Sequence, residues 1–191
     1  MFHRKEFLGL LLVLSLFGCQ SSLQPKDYYT YYQKHFKRYS KAIERNGVLV
    51  TVNYMPCEVY ASMDMQSDKA LSSKDAMKRY DNSLFFLVSI NQLDSLPVSD
   101  EIRNRFITAA YTLEKPFVLA SGADSVRLSV CVADNKSMQM QGTSFVLAFP
   151  RKNCKKSLNT YTLLLRDLSP ELGTIKIKLK EITHRAPGIR G

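Results

Sequence analysis

Tryptophan is absent, and histidine occurs only three times. His3 lies in the leading apolar segment, which leaves His35 and His184 at opposite ends of the chain. No GxSxG segment, CxxC pair or Cys/His zinc spacing accompanies them. Neither a serine triad nor a zinc site therefore has a visible frame. Glycine is scarce, with eight residues, and forms no phosphate-cradling loop. Asp64, Asp68, Asp75 and Asp81 are spread through one polar region. They lack the density and turn glycine of a calcium loop. Nothing indicates the paired carboxylates of glycoside cleavage. No apolar run reaches the roughly 20 residues that cross a bilayer as a helix.

What the chain does have is a distinctive start, MFHRKEFLGLLLVLSLFGCQ. Arg4 and Lys5 precede an apolar run from Phe7 to Phe17, the length of a secretory signal core. Polar residues follow from Gln20 onward. The run ends LSLFGC: Leu16 and Gly18 stand before Cys19, with the bulkier Phe17 between them. This resembles the bacterial lipoprotein box, cut before a cysteine that carries lipid. The resemblance implies a diacylglycerol thioether on Cys19, usually with an acylated (palmitate-type) amino terminus. One acyl chain anchors weakly and two or three anchor firmly. An ordinary signal peptide is the plain alternative.

Acid is in short supply: 17 Asp+Glu stand against 27 Lys+Arg, for a net charge of +10. The excess gathers in 26–45, 151–156 and 176–190. Clusters of this kind suit an anionic envelope surface: phospholipid, lipopolysaccharide, acidic glycan or acidic protein. Lys34, Lys37, Arg38, Lys41, Arg151, Lys152, Lys155 and Lys156 are the candidate contacts. An exported address sets nucleic acid aside. A merely solvated basic surface is the competing reading. If Cys19 is lipidated, Cys57, Cys131 and Cys154 remain, so at most one internal disulfide can form.

Residues 1–18 read as the signal peptide and 19–26 as a lipidated tether. An amphipathic helix is expected over 27–46, because Tyr28, Tyr32, Phe36, Tyr39 and Ile43 share one helical face and Asn46-Gly47 is a stop signal. That face could lie on a membrane or pack on the domain. A β-sandwich is expected over 47–183. Val48–Tyr54 alternates as a strand and meets Pro56, which ends ladder pairing. A surface helix within 67–80, capped by Ser72 or Ser73, should turn Ala76, Met77 and Tyr80 inward. SLFFLVSI (83–90) reads as a buried central strand. A helical turn and then a strand from about 106 are expected, followed by strands at 117–121, 125–132, 143–149 and 160–166. In TIKIKLKEI, lysines alternate with apolar residues, as on a strand that resists edge pairing. The tail 184–191 reads as flexible. The fold class is mainly β: an antiparallel β-sandwich with an N-terminal amphipathic helix and one or two short helices.

The order of features also resembles a group of small lipoproteins from Bacteroidota-type bacteria. The matching elements are the lipobox, the tyrosine-rich segment, Tyr54-Met55-Pro56, the aromatic strand LFFLVSI and a later strand with Cys131. The resemblance implies an envelope address and carries no functional residues with it.

Three function classes follow. The leading expectation is a lipid-anchored lipoprotein of the cell envelope, at the outer membrane on its periplasmic or surface face. Its role would be non-enzymatic: binding or assembly with an envelope protein or an anionic glycan or lipid, with no cofactor. The second is an exported hydrolase whose acids converge only in three dimensions. The third is a soft-metal protein using Met63-Asp64-Met65 and Met138-Gln139-Met140, since thioethers suit Cu(I).

Overall fold

The computed structural model describes residues 22–92, 104, 117–134, 142–154, 157–166 and 173–190. Cys19, Lys155, Lys156, Met138, Met140 and the helical turn and strand expected at 100–113, Asn104 excepted, lie outside the described residues.

Eleven strands and three α-helices are described. They are β1 (Ser22–Leu23), α1 (Pro25–Lys34), β2 (Ser40–Arg45), β3 (Val48–Met55), α2 (Cys57–Ser67), α3 (Ser73–Tyr80), β4 (Ser83–Gln92), β5 (Phe117–Ser121), β6 (Asp124–Arg127), β7 (Val130–Asp134), β8 (Gly142–Pro150), β9 (Thr162–Leu165), β10 (Ile175–Lys178) and β11 (Gly188–Ile189). Two antiparallel sheets dominate, with strand orders β2-β3-β4-β8-β7 and β10-β9-β5-β6. Their inner faces share one apolar core. Val50, Val52, Phe86, Val88, Phe145 and Leu147 come from the first sheet, and Phe117, Leu119, Leu163, Ile175 and Ile177 from the second. The protein is mainly β and sandwich-like, as the strand pattern predicts.

β4 is the middle strand of the larger sheet, and both of its faces are covered. Leu84, Phe86, Val88 and Ile90 face the core. Phe85, on the opposite face, packs against Tyr60 of α2 (ring centroids 4.7 Å apart) and Tyr80 of α3 (6.1 Å). That double cover explains why SLFFLVSI is apolar almost throughout instead of alternating.

Four expectations need correction. The helix expected over 27–46 ends at Lys34, and 40–45 forms β2. Asn46 (φ 51°) and Gly47 (φ 74°) form a two-residue hairpin turn, with Arg45 opposite Val48. Positive φ at both turn positions is what a type I′ hairpin requires, and it matches strand twist better than a helix stop would. The sheet domain therefore begins at residue 40, ahead of the expected 47. Second, 125–132 is not one strand. β6 belongs to the smaller sheet and β7 to the larger, and the chain crosses at Leu128-Ser129. Both the backbone N–H and the hydroxyl of Ser129 donate to the Ala148 carbonyl, at 2.9 and 2.8 Å. Third, β10 stops at Lys178 and a 3-10 turn takes 179–181, although β10 does form a sheet edge.

Fourth, neither the tether nor the tail is wholly loose. Ser22–Leu23 pairs in parallel with Gly188–Ile189, and α1 begins at Pro25. The Arg190 N–H donates to the Leu23 carbonyl at 2.8 Å, and the Tyr28 hydroxyl to the Pro187 carbonyl at 2.8 Å. The cause is a second apolar cluster built from Tyr28, Tyr32, Tyr39 and Val59, onto which Leu23 and Ile189 both pack. Tyr28 and Tyr32 thus turn the aromatic face of α1 toward the domain. Phe36 remains exposed, and Ile43 joins the main core from β2. Among the described residues no helix is long and apolar enough to cross a membrane.

Candidate functional site

A cleft of about 410 Å³ opens at one end of the sandwich. Tyr54, Pro56, Cys57 and Glu58 line one side, Arg151, Leu158 and Asn159 another, and Thr183 to Ala186 close it from the C-terminal segment. Pro56 sets the first side. It stops β3 and starts α2, so Cys57 and Glu58 fall in the first helical turn. An acid there is favoured by the helix dipole. Pro150 ends β8 in the same way. The Arg151 N–H then donates to the Asn82 carbonyl at 2.8 Å, which holds the following turn against the start of β4. The third wall is set by Thr183, whose N–H and hydroxyl both donate to the Leu179 carbonyl, at 2.7 and 2.8 Å. His184 rests edge-on against the Tyr39 ring, with centroids 6.3 Å apart.

Burial is the main influence on the Cys57 thiol, and the Glu58 carboxylate is the second. Together they push it up to about 12, against a partial offset from the Arg151 guanidinium. The thiol donates weakly to Glu58 Oε2 at 3.5 Å. Burial, then Cys57 and Glu58, likewise raise the Tyr54 hydroxyl, and Arg151 again opposes. At neutral pH Cys57 is a protonated thiol, whereas nucleophilic attack and soft-metal ligation need the thiolate. No hydrogen bond joins it to His184 among the described residues. The cleft thus lacks an activated nucleophile and base at its thiol. Its chemistry lies instead in two guanidinium groups. Arg151 and Arg185 are exposed at its rim, and neither is ion-paired among the described residues. Such groups take carboxylate or phosphate in bidentate fashion.

Of the described basic residues singled out from sequence, only Arg151 lines the cleft. Lys34, Lys37 and Arg38 are exposed at the end of α1 and the turn after it, and Lys152 is exposed beside Arg151. Lys41 on β2 pairs with Glu181 at 3.1 Å. Glu58 and Asn159 are cleft residues that sequence patterns do not mark, and Tyr54, Cys57, His184 and Arg185 stand in separate sequence features that do not point to a shared cleft. They are scattered between positions 54 and 185, and no local spacing joins them; the Pro56 break is the one nearby signal.

Two of the scattered acids, Asp64 and Asp75, have structural partners. Asp64 Oδ2 accepts from Arg79 and from the Tyr80 hydroxyl, each at 2.9 Å, and so ties α2 to α3. Asp75 completes the cap at Ser72. Met63 is exposed on α2 and Met65 is half-buried. Among the described residues no three His, Cys, Asp or Glu side chains cluster closely enough to share a metal ion. Cys57, Cys131 and Cys154 are free thiols.

No known family model matches the chain, and no curated protein does. Among solved structures, a novel protein of unknown function from Burkholderia pseudomallei K96243 is similar over 84% of this chain and 91% of that one. Identity is 12% and the TM-score 0.34, too low for that likeness to inform fold or function.

Proposed function

We propose that this protein is a lipid-anchored envelope lipoprotein with a non-enzymatic binding role. The Cys19 acyl chains would hold the β domain at a membrane, and the cleft would receive an anionic group of an envelope partner. The observation that supports the binding role is one cleft lined by two exposed guanidinium groups, neither ion-paired among the described residues, together with a thiol held protonated. The anchor reading is supported by the lipobox-like LSLFGC.

Two experiments test the two halves. Mass spectrometry of the mature amino-terminal peptide should find acyl mass on Cys19 and nothing from residues 1–18. Cys19→Ser should abolish that mass, because only the thiol forms the thioether. Salt at 1 M shortens the screening length to about 3 Å, yet should leave the native protein on its membrane. A mature terminus without lipid, or release by salt alone, refutes the anchor. For the cleft, native lipoprotein cross-linked in cells should retain one reproducible envelope component, protein or lipid, which Arg151→Glu loses. A purified domain that turns over a glycan or peptide by itself would defeat the non-enzymatic reading.

A further inference from the structure

Resting on that anchored reading, we infer that the anion taken by the cleft is the headgroup phosphate of an anionic phospholipid in the same membrane. The argument starts from the pairing of β1 with β11. Ser22 stands three residues after Cys19, so the lipidated residue lies within about 11 Å of it at full extension. Ser22 pairs with Gly188, about 5 Å away as neighbouring strands are. Arg185 is three residues before Gly188, at most another 11 Å or so. Arg185 therefore lies within roughly 16 Å of Ser22, while a domain of this length is about 40 Å across.

The cleft is thus built on the anchored end of the molecule. The segment that walls it, 183–186, runs directly into the strand that fastens the anchor. The Arg190 N–H and side chain both bond to β1, the latter from Nε to Ser22 Oγ at 3.3 Å. The domain has little freedom to swing this end away from the bilayer. The C-terminal segment there is basic: residues 183–190 carry Arg185 and Arg190 and no acid. Among the described residues Glu58 is the single acid of the cleft lining, and it accepts from the Cys57 thiol. Headgroups form a layer roughly 5–8 Å deep on each side of a bilayer. Arg151 and Arg185, exposed on long flexible stems, are the groups to reach into it.

The test uses the mature lipidated protein inserted into preformed vesicles. One set is phosphatidylcholine alone; the other is phosphatidylcholine and phosphatidylglycerol in equal parts. Phenylglyoxal labelling of each arginine is followed by peptide mass spectrometry. Arg127, outside the cleft lining, serves as the control. With phosphatidylglycerol, Arg151 and Arg185 should label about fivefold more slowly, as for a site four-fifths occupied, while Arg127 is unchanged. In Arg151→Gln, Arg185 should label alike in both vesicle sets, because the shared phosphate is lost. Equal labelling in the two sets for the parent protein overturns the inference. Protection by inorganic phosphate on phosphatidylcholine vesicles, matching that with phosphatidylglycerol, assigns the site to a soluble anion and also overturns it. Flotation with pure phosphatidylcholine vesicles in 1 M salt reads the anchor independently of the cleft. Failure there refutes the anchored reading itself and removes this inference with it.

Discussion

Phe86 shows how much one side chain can hold together. It is fully buried on the middle strand of the larger sheet, with the Phe149 ring edge-on at 5.9 Å and the Tyr54 ring at 5.6 Å. Its loss would open a cavity between the two sheets and reach the cleft wall through Tyr54. Phe86→Ala should cost about 3–5 kcal/mol, a large part of a typical domain's 5–15. Chemical denaturation of parent and variant checks this. A variant that unfolds at the parent's midpoint would show that β4 is not the centre of the core. Cys57 is a residue whose setting, not its identity, decides its role. Burial and Glu58 keep its thiol protonated at neutral pH, so it lines the cleft as a thiol and not as a thiolate.

Among the elements, the β2–β3 hairpin depends most on its turn. Gly47 sits at φ 74°, where a Cβ is strained. Gly47→Ala should destabilise by about 1–2 kcal/mol. Gly188→Ala is the matched control: an added Cβ there meets nothing within 4 Å, and its backbone lies outside the left-handed region. Thermal melts should separate the two; equal melting would mean that the I′ turn does not set the hairpin. The same turn marks where sequence reading works and where it fails. Alternation locates β3, an unbroken apolar run locates β4, and Ser72, whose hydroxyl accepts the Asp75 N–H at 3.1 Å, marks the start of α3. These are signals carried by adjacent residues. By contrast, Tyr39 and Ile43 continue the helical spacing of Tyr28 and Tyr32 by coincidence. Ile43 lies in the ladder to β3, and Tyr39 follows a 3-10 turn with its carbonyl accepting the Tyr54 N–H at 2.7 Å; both are tertiary contacts. α2 escapes notice because its buried residues, Cys57, Val59, Ala61 and Ser62, make no clean apolar stripe. The crossing at Leu128-Ser129 keeps alternation intact while the chain changes sheet. The cleft is the least legible feature. It joins separated segments: Arg151 and Arg185 stand in two different charge clusters, and nothing in the sequence brings the clusters together.

At the scale of the whole molecule, the buried hydroxyls and thiols set a pH limit. Burial first, with neighbouring groups second, raises Cys57 to about 12 and Tyr39 to about 12; burial alone raises Cys131 to about 11. Tyr28, Tyr32, Tyr54 and Tyr60 are raised as well, again chiefly by burial. In the unfolded chain these groups titrate near 8.5 for thiols and 10 for phenols, roughly. The folded state thus keeps protons that the unfolded state loses, and stability falls as pH rises. The contribution is complete below about pH 8.5 and is lost progressively as pH climbs toward the folded values of about 11 and about 12. Each fully buried group of this kind adds a slope of at most about 1.4 kcal/mol per pH unit. Cys57 isolates the effect of one such group. The melting temperature should fall from about pH 9 to about pH 11 in the parent and fall less steeply in Cys57→Ala. A parent that is flat over that range, or a variant with the parent's slope, would show that the Cys57 thiol is not held protonated in the fold. The binding reading of the cleft would then lose its distinction from thiol chemistry.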